Sequence, residues 1–452
     1  MFRRTLSVML VAAAGLLFAA GARASTYVVI AQGNHLSSQA EARLQAAGAS
    51  NIRVLAPIGV AIVDSDDPAF AQRAGRIAGL QSVTEDVTLQ WVNPPSPADQ
   101  SVSIADAVAN PPNTGDDDFF FDLQWGHDAV NAPEAWAAGA RGQGVTVAVL
   151  DTGFDLTHPD LAPNIDLADS QNFIPGESLQ WNGDIFSHGT HTAGTVAAAD
   201  NGFGTIGIAP EARLMLVKVL SDSGSGPFSA IIQGIVWAAN HDADVISMSL
   251  GADVPRNEPG VAQLLVATSR AITYAYQHGT LVVAAAGNAA RDLDHDASLK
   301  SVPAELPDVL SISATAPLGW GLEPTVNLDN PASYSNYGQN GIDFAAPGGD
   351  YVGAFTGLTG PCTVDGLTRP CYVFDFVFST GYQGWYWSVG TSMATPHAAG
   401  VAALILSAHG GHGSMTPAQL TAAMQQGADD LGKPGNDDYY GLGRLNAFGS
   451  IQ

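Results

Sequence analysis

Val145-Thr-Val-Ala-Val-Leu-Asp151-Thr-Gly153 is an apolar run that stops at a carboxylate and a glycine. A continuous apolar run of this length is typical of a strand buried on both faces of a sheet. Similar runs recur at 245–250 and 281–286, each preceded by a helical pattern, at 229–240 and 264–278. Strands that alternate with helices predict crossover units, and therefore an α/β fold with a mostly parallel central sheet.

A different pattern lies upstream, in residues 25–92. Apolar strand patterns and two helical patterns follow one another in the order β-α-β-β-α-β, which predicts a small ferredoxin-like α+β unit. Residues 93–118 contain prolines and end in Asp116-Asp117-Asp118, the composition of a linker between that unit and the domain at 119–452. An ordered arm wrapped on the next domain is the alternative.

Composition excludes several function classes. The 452 residues include 17 Lys+Arg and 43 Asp+Glu, a net charge of −26, so nucleic acid is not an expected partner. The apolar fraction of 46% suffices for a large core and argues against disorder.

The first 24 residues have the features of a secretory signal. Arg3 and Arg4 precede an apolar stretch, and Ala22-Arg23-Ala24 is a small-x-small cleavage site. We therefore expect export, with an uncleaved membrane anchor as the alternative; no later run of ~20 apolar residues indicates a stable anchor. In an exported chain, the pair Cys362 and Cys371 predicts a disulfide, with two free buried thiols as the alternative.

Three segments place reactive groups at the ends of predicted elements. Asp151 ends a strand, His188 opens the segment His188-Gly-Thr-His191, and Ser392 lies at the start of an apolar helix. Each has an ordinary structural explanation taken alone, respectively a turn former, a packed histidine and a helix cap.

Together, in the order Asp–His–Ser, these segments resemble the subtilisin family of serine peptidases over about residues 123–446; this order is the one known for subtilisin. The resemblance implies a three-layer fold around the mostly parallel sheet. It also implies that Ser392 is the nucleophile, His188 the general base, and Asp151 the residue that orients the imidazole. Asn288, after the strand at 281–286, takes the family's oxyanion-donor position.

The resemblance also implies how a substrate binds. Two backbone segments pair with an extended peptide in the family, and they match Gly224-Ser225-Gly226 and Ser249-Leu250-Gly251. The P1 pocket is expected between 249–251 and 284–287, where Ala285 and Gly287 lie, and these stretches carry no charge. We therefore expect apolar or bulky uncharged P1 residues, and the family's cis-proline turn at Val302-Pro303.

Subtilisins commonly bind structural Ca²⁺, and one site can be carried over to this chain. Its oxygen ligands would be side chains or carbonyls of Gln124, Asp160, Ala199, Asn201, Phe203 and Thr205. A solvated turn at Asp200-Asn201-Gly202 is the alternative.

By the same resemblance, residues 25–92 are a propeptide that inhibits and helps to fold the peptidase, with primary cleavage near 91–93; an unrelated adhesion module is the alternative. The insertion at 349–387 departs from the family and contains both cysteines and Tyr382, Trp385, Tyr386 and Trp387. It is expected to be a stapled hairpin or a lid. The predicted protein is a secreted, monomeric, self-processing endopeptidase acting on proteins and peptides. A catalytically silent binding protein and a dedicated processing enzyme are the alternatives.

Overall fold

The structure is a computed structural model that describes residues 24–96, 99–103 and 116–452. The expected signal peptide, apart from Ala24, and much of the expected linker lie outside the described residues. Within the described ranges, no helix is long and apolar enough to cross a membrane.

The N-terminal unit is an antiparallel sheet of order β2-β3-β1-β4 with two helices. Its elements are β1 (Ser25–Ala31), α1 (Ser38–Ala46), β2 (Asn51–Leu55), β3 (Val60–Ser65), α2 (Phe70–Ala74) and β4 (Leu80–Glu85). This is the predicted ferredoxin-like order. Two short strands follow and pair elsewhere, β5 (Thr88–Gln90) and β6 (Gln100–Val102).

The central sheet of the larger domain has seven parallel strands in the order β8-β9-β7-β11-β13-β15-β17, with β16 antiparallel to β15. The strands are β7 (Thr146–Asp151), β8 (Gln171–Asn172), β9 (Arg213–Lys218), β11 (Val245–Met248), β13 (Leu281–Ala285), β15 (Val309–Ala316), β16 (Asn330–Pro331) and β17 (Phe344–Pro347). Outside this sheet, β10 (Ser225–Pro227) pairs with β5, and β12 (Ala252–Pro255) pairs with β14 (Leu299–Val302). The peptide bond Val302-Pro303 is cis, as expected.

Helices cover both faces of this sheet. Their bounds are α3 (Trp125–Ala129), α4 (Ala132–Ala137), α5 (His188–Ala197), α6 (Phe228–Asn240), α7 (Pro259–Gln277), α8 (Val352–Thr356), α9 (Thr391–Ala408), α10 (Pro417–Gly427) and α11 (Ala447–Ser450). Val147 and Val149 of β7 pack in one core with α5 and α9, whereas Ala148 and Leu150 pack in a second core with α6 and α7. This alternation produces the expected three-layer α/β fold.

The insertion at 349–387 forms two hairpins. β18 (Pro361–Val364) and β19 (Leu367–Pro370) make the first, which is closed by the predicted Cys362–Cys371 disulfide. β20 (Val377–Gly381) and β21 (Gly384–Ser388) make the second, and β6 adds a third strand to it. Trp385, Tyr386 and Trp387 are at most 2% exposed, so they are packing residues.

Candidate active site

Asp151 and His188 meet where β7 ends and α5 begins. His188 Nδ1 lies 2.8 and 2.9 Å from the two carboxylate oxygens of Asp151, which is fully buried. The Thr152 N–H donates to Asp151 at 2.7 Å, and the Thr192 hydroxyl donates at 3.2 Å. The carboxylate is therefore fixed and can hold one imidazole tautomer. The contact of Thr192 with Asp151 was not predicted from the sequence.

The helix that carries His188, α5, is fixed by a cap at its N-terminus and by hydrogen bonds from the insertion. Ser187 caps α5 by accepting from the Thr190 N–H at 3.3 Å. On the other side the insertion braces the helix, because the hydroxyls of Ser379 and Thr380 donate to the carbonyls of His191 and Thr190 at 2.9 and 2.7 Å. His191 itself is buried, and its Nε2 lies near the carbonyls of Val377 and Tyr386 in the insertion.

Ser392 is the second residue of α9, where the backbone N–H groups have no partner within the helix. Its hydroxyl donates to the Ser249 carbonyl at 3.0 Å rather than to His188. His188, Asn288 and Ser392 nevertheless line one cleft of about 600 Å³. Rotation about the Cα–Cβ bond of Ser392 is the movement needed to redirect the hydroxyl within that cleft.

Asn288 is oriented by the residue next to the predicted nucleophile. Its Oδ1 accepts from both the backbone N–H and the hydroxyl of Thr391, at 2.9 and 2.8 Å. The Thr391 hydroxyl in turn accepts from the Gly287 N–H at 3.1 Å. With the oxygen so engaged, the amide N–H₂ of Asn288 is the end left to face the cleft as a donor.

The predicted substrate-binding segments contact an extended chain, which is the protein's own. β5 pairs antiparallel with β10, placing Gln90 opposite Ser225 and Leu89 opposite Gly226. Beyond β5, the N–H groups of Trp91 and Val92 donate to the Gly224 carbonyl at 3.0 and 3.1 Å, and the Gly251 N–H donates to the Trp91 carbonyl at 3.0 Å. Leu250 is buried beside these contacts.

A second pocket, of about 180 Å³, adjoins Ser392 and includes Gly251, Ala285 and Gly287. Gly287 has φ of 108°, and a Cβ there would lie 2.4 Å from the Asn336 amide, so a larger residue does not fit. Asp253 also lines the pocket, and sequence reasoning missed it. Its carboxylate is paired with the Arg291 guanidinium at 2.6 Å, which offsets its charge.

The residues expected to bind Ca²⁺ lie around Asp160. Asp160 Oδ2 accepts from the Thr205 N–H and from the Trp385 indole, both at 2.8 Å, while Oδ1 is buried with no hydrogen-bond partner in the described ranges. Burial raises the pKa of this carboxyl to about 7. The amide of Gln124 donates to the Ile206 carbonyl and accepts from the Ile206 N–H, at 2.9 and 3.0 Å, and its oxygen keeps a second lone pair for an ion.

Four aspartates form what we call the acidic corner: Asp116, Asp117, Asp118 and Asp200. One carboxylate oxygen of each lies within 4.8 Å of the others. Asp118 Oδ1 accepts from the Phe203 N–H at 2.9 Å, so the corner adjoins the expected ligand loop. Burial, followed by the neighbouring Asp116, raises the pKa of Asp118 to about 8. Sequence reasoning assigned Asp116–Asp118 to a linker and missed this arrangement.

The sequence is similar to that of known peptidases. The sequence model of the subtilase family matches residues 142–443, which is more than half of the chain. The chain therefore belongs to the subtilase family and is a serine-type endopeptidase.

Individual relatives can then be named. Thermitase of Thermoactinomyces vulgaris is 34% identical over 75% of this chain and 99% of its own length. Subtilisin Savinase of Lederbergia lenta is 36% identical over 72% of this chain and 97% of its own length. The structure of the epidermin leader peptide processing serine protease of Staphylococcus aureus shares the fold, with a TM-score of 0.74 and 22% identity over 95% of this chain and 98% of that one.

Proposed function

We propose that this subtilase is an exported, calcium-stabilised endopeptidase that cleaves itself from a proenzyme and acts through an acyl-enzyme. The observation that carries the proposal is the seating of its own segment 88–93, which continues β5 towards Ser392. His188 and Asn288 line the same cleft as Ser392, and Asp151 is paired with His188.

In the proposed mechanism, the Ser392 hydroxyl turns from Ser249 towards His188 and attacks the scissile carbonyl. His188 accepts the hydroxyl proton and later delivers it to the leaving amine, and Asp151 stabilises the imidazolium. The Asn288 amide and the Ser392 N–H donate to the oxyanion. Water then attacks the acyl-enzyme. His188 takes a proton from this water and returns it to the Ser392 oxygen as the acyl group leaves.

We propose that uncharged P1 residues are preferred. The small pocket is lined largely by glycine and alanine, and its carboxylate, Asp253, is already paired with Arg291. A P1 lysine would have to compete with the Arg291 guanidinium for the Asp253 carboxylate. A P1 panel that showed lysine or arginine preferred over leucine or phenylalanine would contradict this.

We propose that Ca²⁺ binds beside Asp160 and the acidic corner. Calcium takes six to eight oxygen ligands, and a buried carboxylate oxygen that has no hydrogen-bond partner among the described residues, as at Asp160, fits such an ion. The carbonyls of Ala199, Phe203 and Thr205 and the amide oxygen of Asn201 complete the expected set. The Gln124 amide oxygen, which is positioned by the Ile206 N–H, would add one more ligand through its second lone pair. The ion's role would be structural, tying the segment 116–118 to the loop.

The propeptide role is proposed for residues 25–92. Their sheet packs over α6 and α7, with Val28, Ile30 and Ile62 in the same core. Arg53 donates to Gln233 of α6 at 3.1 Å, and Asp86 accepts from the Ser229 N–H at the start of that helix. Export through a cleaved signal at 1–24 and a monomeric mature enzyme complete the proposal.

The intact mass of the expressed chain, beside its Ser392→Ala variant, tests this function. We expect the wild type to lose a segment ending between about Trp91 and Phe119, while the variant keeps it. Trimming of both chains alike would point to a host protease, and two untrimmed chains would favour the silent binding protein. A panel of unrelated unfolded proteins then separates broad digestion, with many cuts, from dedicated processing, with none.

A further inference from the structure

The chain that enters the cleft at β5 leaves it along the insertion. Asn93 lines both the small pocket and the main cleft, beside Ser392, so a scissile bond lies near this residue. The segment then passes Asp99, which also lines the cleft, and forms β6 seven to nine positions after Asn93. The linker therefore occupies both sides of Ser392, the side before a scissile bond and the side after it.

On the far side the partner strand is β21. Val102, Ser101 and Gln100 pair antiparallel with Trp385, Tyr386 and Trp387. β21 lies between β20 and β6, so without β6 it would be an open edge of the sheet. An open edge is a template for an added strand, since its backbone groups can pair with any extended chain.

Side chains add selectivity to this edge. Val102 is 1% exposed and belongs to the aromatic cluster that contains Trp385 and Trp387. The Arg369 guanidinium donates to the Ser101 carbonyl at 3.0 Å and lies over the Trp387 ring, 5.8 Å from its centroid. The site thus combines backbone pairing, one apolar pocket and a fixed cation, which are the elements of strand recognition.

We propose that the edge of β21 is a substrate-binding site for the polypeptide that follows the cleaved bond, and that β6 occupies it until a second cut, between Val102 and Phe119, removes β6 from the processed enzyme. The site selects chains that continue in extended form for about nine residues beyond the cleavage point and place an apolar side chain where Val102 lies. It favours unfolded protein segments over short peptides. The proposal deepens the proposed function and rests on cleavage at Ser392.

Two quenched fluorescent peptides test the site on the processed wild-type enzyme. Both contain the same residues around the cleaved bond; the short peptide ends three residues after it, and the long one continues with the linker sequence 96–103. We expect kcat/KM to be roughly tenfold higher for the long peptide, the gain of a few additional hydrogen bonds and one buried side chain. A long peptide with Val102→Asp should lose the gain, because a carboxylate does not enter an apolar cluster.

Enzyme variants assign the gain to the insertion. Arg369→Ala should lower the ratio of long to short kcat/KM several-fold, whereas Lys433→Ala, which removes an exposed cation on the C-terminal loop, should leave it unchanged. Equal hydrolysis of both peptides by the wild type, or a processed chain that begins at or before Gln100 and keeps β6 in place, would overturn the proposal. Hydrolysis of neither peptide would overturn the proposed function and this site with it.

Discussion

The active site and the acidic corner are both built from aspartates and short loops, but they are assembled differently. Asp151 and His188 each stand at the end of a regular element, inside a short motif, and the family resemblance of these motifs implied their roles. The acidic corner joins Asp116–Asp118, at the edge of a proline-rich segment, to Asp200 some 80 residues later. A site formed at the ends of regular elements can be recognised from family motifs, whereas a cluster formed by a tertiary contact between loops has no such motif. Four experiments distinguish effects on the rate of catalysis from effects on stability.

The largest expected effect is on rate alone. Asn288→Ala removes the proposed oxyanion donor and should lower kcat by about 10²–10³ with little change in thermal stability. Asn288→Asp is the matched variant, because it keeps an acceptor for Thr391 but has no N–H to donate. Steady-state kinetics on a peptide substrate measure both. Near-normal kcat in Asn288→Asp would contradict the donor role.

At the acidic corner the effect should fall on stability alone. Removing Ca²⁺ with a chelator should lower the melting temperature by roughly 5–10 °C, since a ligand at a hundred times its Kd contributes about 2.7 kcal/mol. Asp118→Asn should reduce that calcium-dependent difference, and Asp438→Asn, at an exposed carboxylate, should not. Scanning calorimetry on the Ser392→Ala background avoids self-digestion. A melting temperature independent of chelator would remove the calcium proposal.

The third prediction concerns the pH dependence of stability that the buried His397 causes. Burial lowers the pKa of His397 to about 4, against about 6.5 when unfolded, so below pH 6.5 the unfolded state binds the extra proton. Stability is therefore lost as pH falls towards 4, by about 2 kcal/mol at pH 5 for this residue. Burial raises the pKa of Asp375 to about 6, so this residue adds stability as the pH falls. Its contribution is the same in both chains that are compared below.

Urea unfolding of Ser392→Ala at pH 7.5 and pH 5.0, with and without His397→Gln, measures this contribution. We expect the chain with glutamine to lose about 2 kcal/mol less on acidification. Equal losses in the two chains would show that His397 is not the group that takes up the proton on unfolding.

The smallest expected effect concerns Thr192. Thr192→Val removes the hydroxyl that donates to Asp151 and should lower kcat several-fold, with a shift in the acidic limb of the pH–rate profile. Thr192→Ser restores a hydroxyl and should recover the wild-type profile. An altered KM with an unchanged pH profile would indicate a packing role instead.

These regions also show what could be read from the sequence. The alternation around 145–153 predicted the parallel sheet, because each buried strand is a local apolar run. The order β-α-β-β-α-β predicted the N-terminal sheet for the same reason. The assignments of Ser392 and Asn288 came from resemblance, since neither residue is distinctive alone. The contacts of Thr192, Asp253 and Trp385 were not predicted, because each depends on which distant segment packs beside it.

The insertion illustrates this limit. It was expected as a stapled hairpin or a lid, and its first hairpin is indeed stapled by Cys362–Cys371. Its second hairpin instead packs on α5 and Asp160. A deletion of 355–380 would therefore remove a brace of the His188 helix, and trimming only the β18–β19 hairpin is the cleaner way to examine substrate selection.

The hydrogen bonds between β20 and α5 can form only late in the synthesis of the chain. The Thr380 hydroxyl donates to the Thr190 carbonyl, 190 residues earlier in the chain. The helix that carries His188 therefore gains this hydrogen bond only after a much later segment has been synthesised. Contacts this distant in sequence form late, and domains of this size commonly pass through intermediates. A growing chain on the ribosome would carry Asp151 and His188 yet lack both the brace and Ser392. With Ser392 as the proposed nucleophile, the chain would have no peptidase activity until nearly all of it has been produced.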